Sequence, residues 1–241
     1  RESMNLIFII IVSSVISLIG TMIGASIGVF VKNPSQKFIG GSMGFAGGLM
    51  LSVVAFDLIP EAMEKTGFCN VIFFYIIGIV IIYAIDRVTD NGASNSYVKV
   101  AFITSLGLML HNFPEGVIMG CGFLAGKSLG FKMSLIIAIH DIPEGLAVTT
   151  PLMAAHKSPA KVLLYAFITA LPTAFGAILG VGLGNISDKF LGMCLSIASG
   201  IMMYVVFGEL IPESNNLGSN VINTVSLLVG VTLGLIMMNV M

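Results

Sequence analysis

The amino-acid sequence predicts an all-α membrane protein of eight transmembrane helices in a 3+2+3 inverted-repeat arrangement. Three observations carry that prediction. Of 241 residues, 56% are hydrophobic and only 10% are charged, against about 25% charged in an average soluble domain. The apolar residues come in stretches of about 18 or more, the length that crosses a ~30 Å hydrocarbon core. Two polar motifs each occur twice, in mirrored order along the chain. The mean hydropathy of +1.03 excludes a disordered chain. Eleven Lys and Arg against twelve Asp and Glu, with no basic run, exclude a nucleic-acid binder.

Polar punctuation sets the spans at roughly 5–31, 39–63, 71–88, 100–126, 133–155, 162–184, 190–213 and 221–241. The breaks are Lys32 to Lys37, Glu64 to Asn70, Thr89 to Tyr97, Lys127 to Lys132, His156 to Lys161, Asn185 to Lys189 and Ser214 to Asn220. Helices are expected because the runs are apolar all round, whereas barrel strands alternate. The first run has no small-residue cleavage site before a polar domain, so it reads as a span and not a removed signal. Arg1-Glu2-Ser3 before Met4 reads as an appended sequence, which leaves 4–241 as one transmembrane domain. Gly40, Gly41, Gly44, Gly47 and Gly48 on the second span suit close helix approach. Cys69, Cys121 and Cys194 are too widely spaced for a disulfide framework or a thiolate zinc site and read as packing residues. Eight spans put both termini on one side, and the Lys and Arg loop count slightly favours the outside.

The informative residues are polar ones inside apolar spans. His111-Asn112-Phe113-Pro114-Glu115-Gly116 lies in the fourth span and His140-Asp141-Ile142-Pro143-Glu144-Gly145 in the fifth, 29 residues on. Phe56-Asp57-Leu58-Ile59-Pro60-Glu61 closes the second span, and Phe207-Gly208-Glu209-Leu210-Ile211-Pro212-Glu213 the seventh. Span parity makes those two helices antiparallel and puts their Leu-Ile-Pro-Glu ends on opposite faces. An inverted repeat with Pro-broken helices points to a transporter site near the midplane.

Residues i and i+4 share a helix face, so His111 projects with Glu115, and His140 with Glu144. Two facing helices then supply two imidazoles and two carboxylates, enough for a divalent ion. Asn112 and Asp141 sit one step round, where they can reach a neighbouring ion or orient the ligands. Pro114 and Pro143 each free a carbonyl one turn back, which a cation or water can take up. Unpaired, such a set would cost on the order of 10 kcal/mol inside a membrane. The duplication argues for function over helix-to-helix glue. Asp57 and Glu61 can form one acidic mouth, Glu209 and Glu213 the other, although helix-end carboxylates at the water interface are as good a reading. Met50 is a soft ligand or a core residue. His156 reads as solvated, and Asp86 with Arg87 as a helix-end pair.

These residues resemble the ZIP (Zrt/Irt-like) metal-ion permeases in their prokaryotic branch. The resemblance covers the whole membrane core. It implies three-two-three helices with both termini outside, and Zn²⁺ uptake across the plasma membrane, with tolerance for Fe²⁺, Mn²⁺ or Cd²⁺. By motif position it implies a primary site at His111, Glu115, His140 and Glu144, and a second, adjacent site from Asn112, Asp141 and the two glutamates. It implies a pore methionine at Met50. One departure stands out: Thr173 falls where many relatives carry a glutamate of the second site, and a hydroxyl is a poor substitute toward a hard divalent ion. The His-rich loop of some relatives is absent.

The reading is a divalent-metal transporter with no organic cofactor. Its partners are the ion, membrane lipid and, as a homodimer, a second copy of the chain. No GxxxxGK[ST] motif suggests ATP-driven pumping. A zinc-dependent intramembrane hydrolase is the first rival, but HExxH is absent and acidic ends on both faces suit a through-path. A metal sensor is the second, but no sizeable soluble domain is available to relay a signal.

Overall fold

An apolar chain has nowhere to place its backbone N–H and C=O groups except in its own helices. The computed structural model is accordingly helical throughout the residues it describes, which are 6–31, 33–89, 96–183, 187–217 and 220–240. Arg1-Glu2-Ser3 and Met4 lie outside them. Ten α-helical segments make eight rods: α1 (Leu6–Phe30), α2 (Gln36–Val53) continuing into α3 (Ile59–Thr66), α4 (Phe68–Thr89), α5 (Ser96–Ala125), α6 (Lys127–Ala154), α7 (Pro159–Leu183), α8 (Asp188–Val205) continuing into α9 (Ile211–Leu217), and α10 (Asn220–Val240). Each expected span lies within one rod or overlaps nearly all of it. Two breaks are shorter than expected. Gly67, at φ 82°, is the whole turn between α3 and α4, and Gly126 alone separates α5 from α6. Glu64 and Lys132 therefore lie in helices.

Among the described residues, seven rods are long and apolar enough to cross a membrane. The exception is α5, whose 30 residues carry His111, Asn112 and Glu115 at mid-length. Only 17% of the apolar stretch is buried in α4 and in α10, against 69% in α6. The outer rods spend their apolar surface outward, and α6 spends its own on neighbouring helices. α6 packs on α1, α5 and α2, while α5 packs on α7, α6 and α8.

The second and seventh rods share one construction. Ser35 caps α2 by accepting from Phe38 N, and Ser187 caps α8 by accepting from Phe190 N. Each helix then runs 18 residues into a five-residue π turn, Val54–Leu58 and Val206–Leu210. Pro60 and Pro212, two residues past these turns, cannot donate to the preceding turn of helix, which explains why the winding loosens there. The rods run antiparallel. Lys65, near the end of α3, reaches Asp188 at the start of α8 (3.6 Å), and Ser214 on α9 donates to the Gly40 carbonyl near the start of α2 (2.7 Å).

Glycines set the helix crossings. A Cβ on Gly24 would stand 1.8 Å from the Ile142 carbonyl oxygen, and one on Gly145 2.2 Å from that of Thr21, so α1 and α6 touch backbone to backbone. Gly176 and Gly116 meet the carbonyls of Phe113 and Thr173 in the same way, joining α7 to α5. Gly48 and Gly230 join α2 to α10, and Gly200 and Gly78 join α8 to α4. The final glycine of each central motif is therefore a packing residue. Gly24→Val should lower the unfolding midpoint in detergent by an amount equivalent to about 1–3 kcal/mol, as overpacking does. Gly182→Val, with nothing within 4 Å of the added carbon, should leave it unchanged.

Candidate metal centre

The central motifs bring their polar residues together at the contact of α5 and α6. His111 Nε2 lies 3.0 Å from Glu115 Oε1 and 3.9 Å from Glu144 Oε1. The first contact is the i,i+4 pairing expected from helix geometry, and the second crosses to the neighbouring helix. All three residues are at most 3% exposed. Charged groups persist at such depth only when paired or bound to a metal. The side chain of His140 lies outside the described residues, though its backbone is in α6 one turn before Glu144. Among the described residues, no group of three or more His, Cys, Asp or Glu side chains is placed to hold a metal ion. His111, Glu115 and Glu144 instead close on one another.

Asn112 and Asp141 are equally buried but turn away, each toward an outer helix. Asn112 Nδ2 donates to the Thr169 carbonyl on α7 at 2.9 Å. Its Oδ1 is buried with no hydrogen-bond partner among the described residues, an acceptor that a cation can satisfy. Asp141 Oδ2 accepts from Ser17 Oγ on α1 at 2.6 Å. Ser17 Oγ also lies 3.5 Å from Thr173 Oγ1, so Thr173 borders this side of the site. The pattern of polar residues in the two central spans gave no sign of Ser17 or of the Thr169 carbonyl. A comparison of the two halves could have found them, since Ser17 and Thr169, like Thr21 and Thr173, are 152 positions apart.

The acids at the two ends sit in different surroundings. Asp57 lies in the first π turn, half-buried, with Glu61 one turn on. Glu61 is met by Lys65 at 3.5 Å, so a cation neutralises part of this mouth. Glu61, Glu64, Lys65 and Asp188 line a cavity of about 300 Å³. At the other end Glu209 is buried within the second π turn, and Glu213 is half-buried. Asp86 and Arg87 stand side by side in the last turns of α4, and each also has a partner elsewhere. Asp86 takes Lys99 Nζ at 3.0 Å and the Tyr204 hydroxyl at 2.6 Å, while Arg87 Nε donates to the Tyr83 hydroxyl at 3.0 Å. The physical reason is direction: successive residues on a helix face different neighbours.

Met50 is buried inside the main apolar core, as is Met202 at the equivalent place in α8. His156 is exposed just past α6. The cysteines are unpaired; Cys121 and Cys194 are half-buried, and Cys69 is exposed where packing was expected.

Residues 89–241 match the protein family described as ZIP Zinc transporter. The chain is similar to the zinc transporter ZupT of Salmonella arizonae, 32% identical over 216 residues that cover 83% of this chain and 84% of that protein. It is 33% identical to the zinc transporter ZupT of Escherichia coli O7:K1 over the same shares. With the zinc transporter ZupT of Clostridium perfringens it shares 30% identity over 95% of this chain and 94% of that one.

The Asp86 cluster ties α4, α5 and α8 together beside the second π turn. Tyr204→Phe removes one donor from a partly buried carboxylate and should cost about 1 kcal/mol, read as a lower thermal midpoint in detergent.

Proposed function

The chain belongs to the ZIP zinc transporter family, and on that premise we propose that it carries Zn²⁺ across a membrane through the polar centre of α5 and α6. It is a membrane transport protein, not an enzyme. Fe²⁺, Mn²⁺ and Cd²⁺ are further candidate cargoes, because imidazole and carboxylate ligands suit them too. The observation that carries this reading is the buried convergence of His111, Glu115 and Glu144 from two helices. His140 completes the ligand set by its place one turn before Glu144 on α6. When the ion arrives, it replaces the contacts these side chains make with one another. Asn112 and Asp141 then form a weaker neighbouring station, with Thr173 supplying a hydroxyl where a carboxylate would bind a hard ion better.

We read residues 4–241 as one transport unit of eight spans in a 3+2+3 inverted repeat. Its support is the helix crossings: Gly24 on Ile142 becomes Gly176 on Phe113, and Gly48 on Leu227 becomes Gly200 on Tyr75, when the halves are exchanged. With both termini outside, ions enter past Asp57 and Glu61 and leave past Glu209 and Glu213. Met50 lies two helical turns before Asp57 and borders the entrance side of this path. Rocking of the two halves about the central pair gives alternating access.

Zinc flux into proteoliposomes holding a metal-sensitive dye tests the reading. The wild type should carry zinc, and Glu115→Ala or Glu144→Ala should cut the rate by roughly tenfold or more, as loss of a ligand does. Full flux in a well-folded Glu115→Ala protein would sink the site assignment. Protons compete for the same nitrogen and oxygen atoms, so zinc affinity should weaken as pH is lowered, measured as a rising half-saturation concentration.

A further inference from the structure

We infer that Ser17, on the first helix, is a positioning residue for metal passage: its hydroxyl holds the Asp141 carboxylate against α1 and weakens that carboxylate's grip on the ion. The inference rests on the metal path proposed through α5 and α6.

Asp141 and Asn112 occupy the same position in their two motifs, yet their needs differ. An amide can donate, so Asn112 satisfies itself on a backbone carbonyl of α7. A carboxylate can only accept, so Asp141 needs a donor from outside its own helix. Ser17 is that donor. The other three serines of α1 return their protons to their own helix: Ser13 to Ile9, Ser14 to Ile10 and Ser26 to Met22, each at 2.7 Å. Ser17 instead crosses to α6 at 2.6 Å, a length typical of a charge-assisted bond. The crossing is short because Gly20 and Gly24 lay α1 directly on the carbonyls of Ala138 and Ile142, on either side of Asp141.

The consequence is a competition. A donor on Asp141 Oδ2 draws off charge that a cation would otherwise use. The neighbouring station of the path therefore binds weakly and releases readily. The Thr173 hydroxyl, 3.5 Å from Ser17, borders it with a neutral group and not a second carboxylate.

The test compares Ser17→Ala, Ser17→Thr and Ser13→Ala in proteoliposomes, with zinc dissociation constants measured by equilibrium dialysis on the same full-length proteins. Ser17→Ala should tighten zinc binding roughly tenfold or more and slow maximal flux by a similar factor, the size expected for one hydrogen bond to a charged group. Ser17→Thr, which keeps the hydroxyl, should restore both values. Ser13→Ala, which removes only a helix-internal bond, should match the wild type. Unchanged or weakened zinc binding in folded Ser17→Ala would overturn the inference, as would equal effects from Ser13→Ala. Should Ser17→Ala fail to fold, Ser17→Cys, a weaker donor, should tighten binding by a smaller factor, and wild-type binding there would overturn it equally. Glu115→Ala separates the two proposals: full flux in that variant would remove the path itself, whatever Ser17 does.

Discussion

A carboxylate in the middle of an apolar bundle must be held by something, and much of this structure answers that demand. Water is excluded at His111, Glu115, Asp141 and Glu144, which are all nearly fully buried. Low polarity strengthens each contact among them and penalises each missing one. The two glutamates lie against one imidazole. The aspartate takes a serine from a helix outside the central pair.

Such contacts need helices that approach within a side chain's length. Glycine provides this. At Gly24, Gly116, Gly145 and Gly176 the neighbouring carbonyl occupies the space a Cβ would fill. Apolar side chains gain little by packing on each other in lipid, so close backbone packing and interhelical hydrogen bonds carry the association. The motif His-[Asn/Asp]-x-Pro-Glu-Gly thus serves two purposes. His111, Glu115 and Glu144 meet between the two helices, and the motif glycines seat α5 on α7 and α6 on α1.

The ends of the second and seventh rods use a different device. Both Leu-Ile-Pro-Glu segments follow a π turn, and each turn carries one acid, Asp57 or Glu209. A proline past the turn forbids regular winding and leaves backbone groups open to other partners. The two ends are not equivalent. Asp57 is half-buried and its neighbour Glu61 faces Lys65, whereas Glu209 is buried. Two ends alike in sequence therefore differ in burial and in partners.

Much of the architecture was legible from residues alone, because the bilayer imposes a length on each span and penalises every charge within it. All eight rods, the antiparallel second and seventh rods, and the pairing of His111 with Glu115 follow from period and parity. Partners across helices were not legible. Nothing in the local sequence distinguishes Ser17 from Ser13 or Ser14, and nothing there marks Lys99 and Tyr204 as partners of Asp86. The sequence by itself determined the helical class, the central motifs and the family. Only the tertiary structure decided which outer helix satisfies Asn112 and which Asp141, that a lysine tempers one mouth, and that the motif glycines are contact points. The reason is physical. Spacing along one helix is set by its 3.6-residue period, but which surfaces meet is set by glycine-to-carbonyl contacts between residues far apart in the chain, as at Gly24 and Ile142.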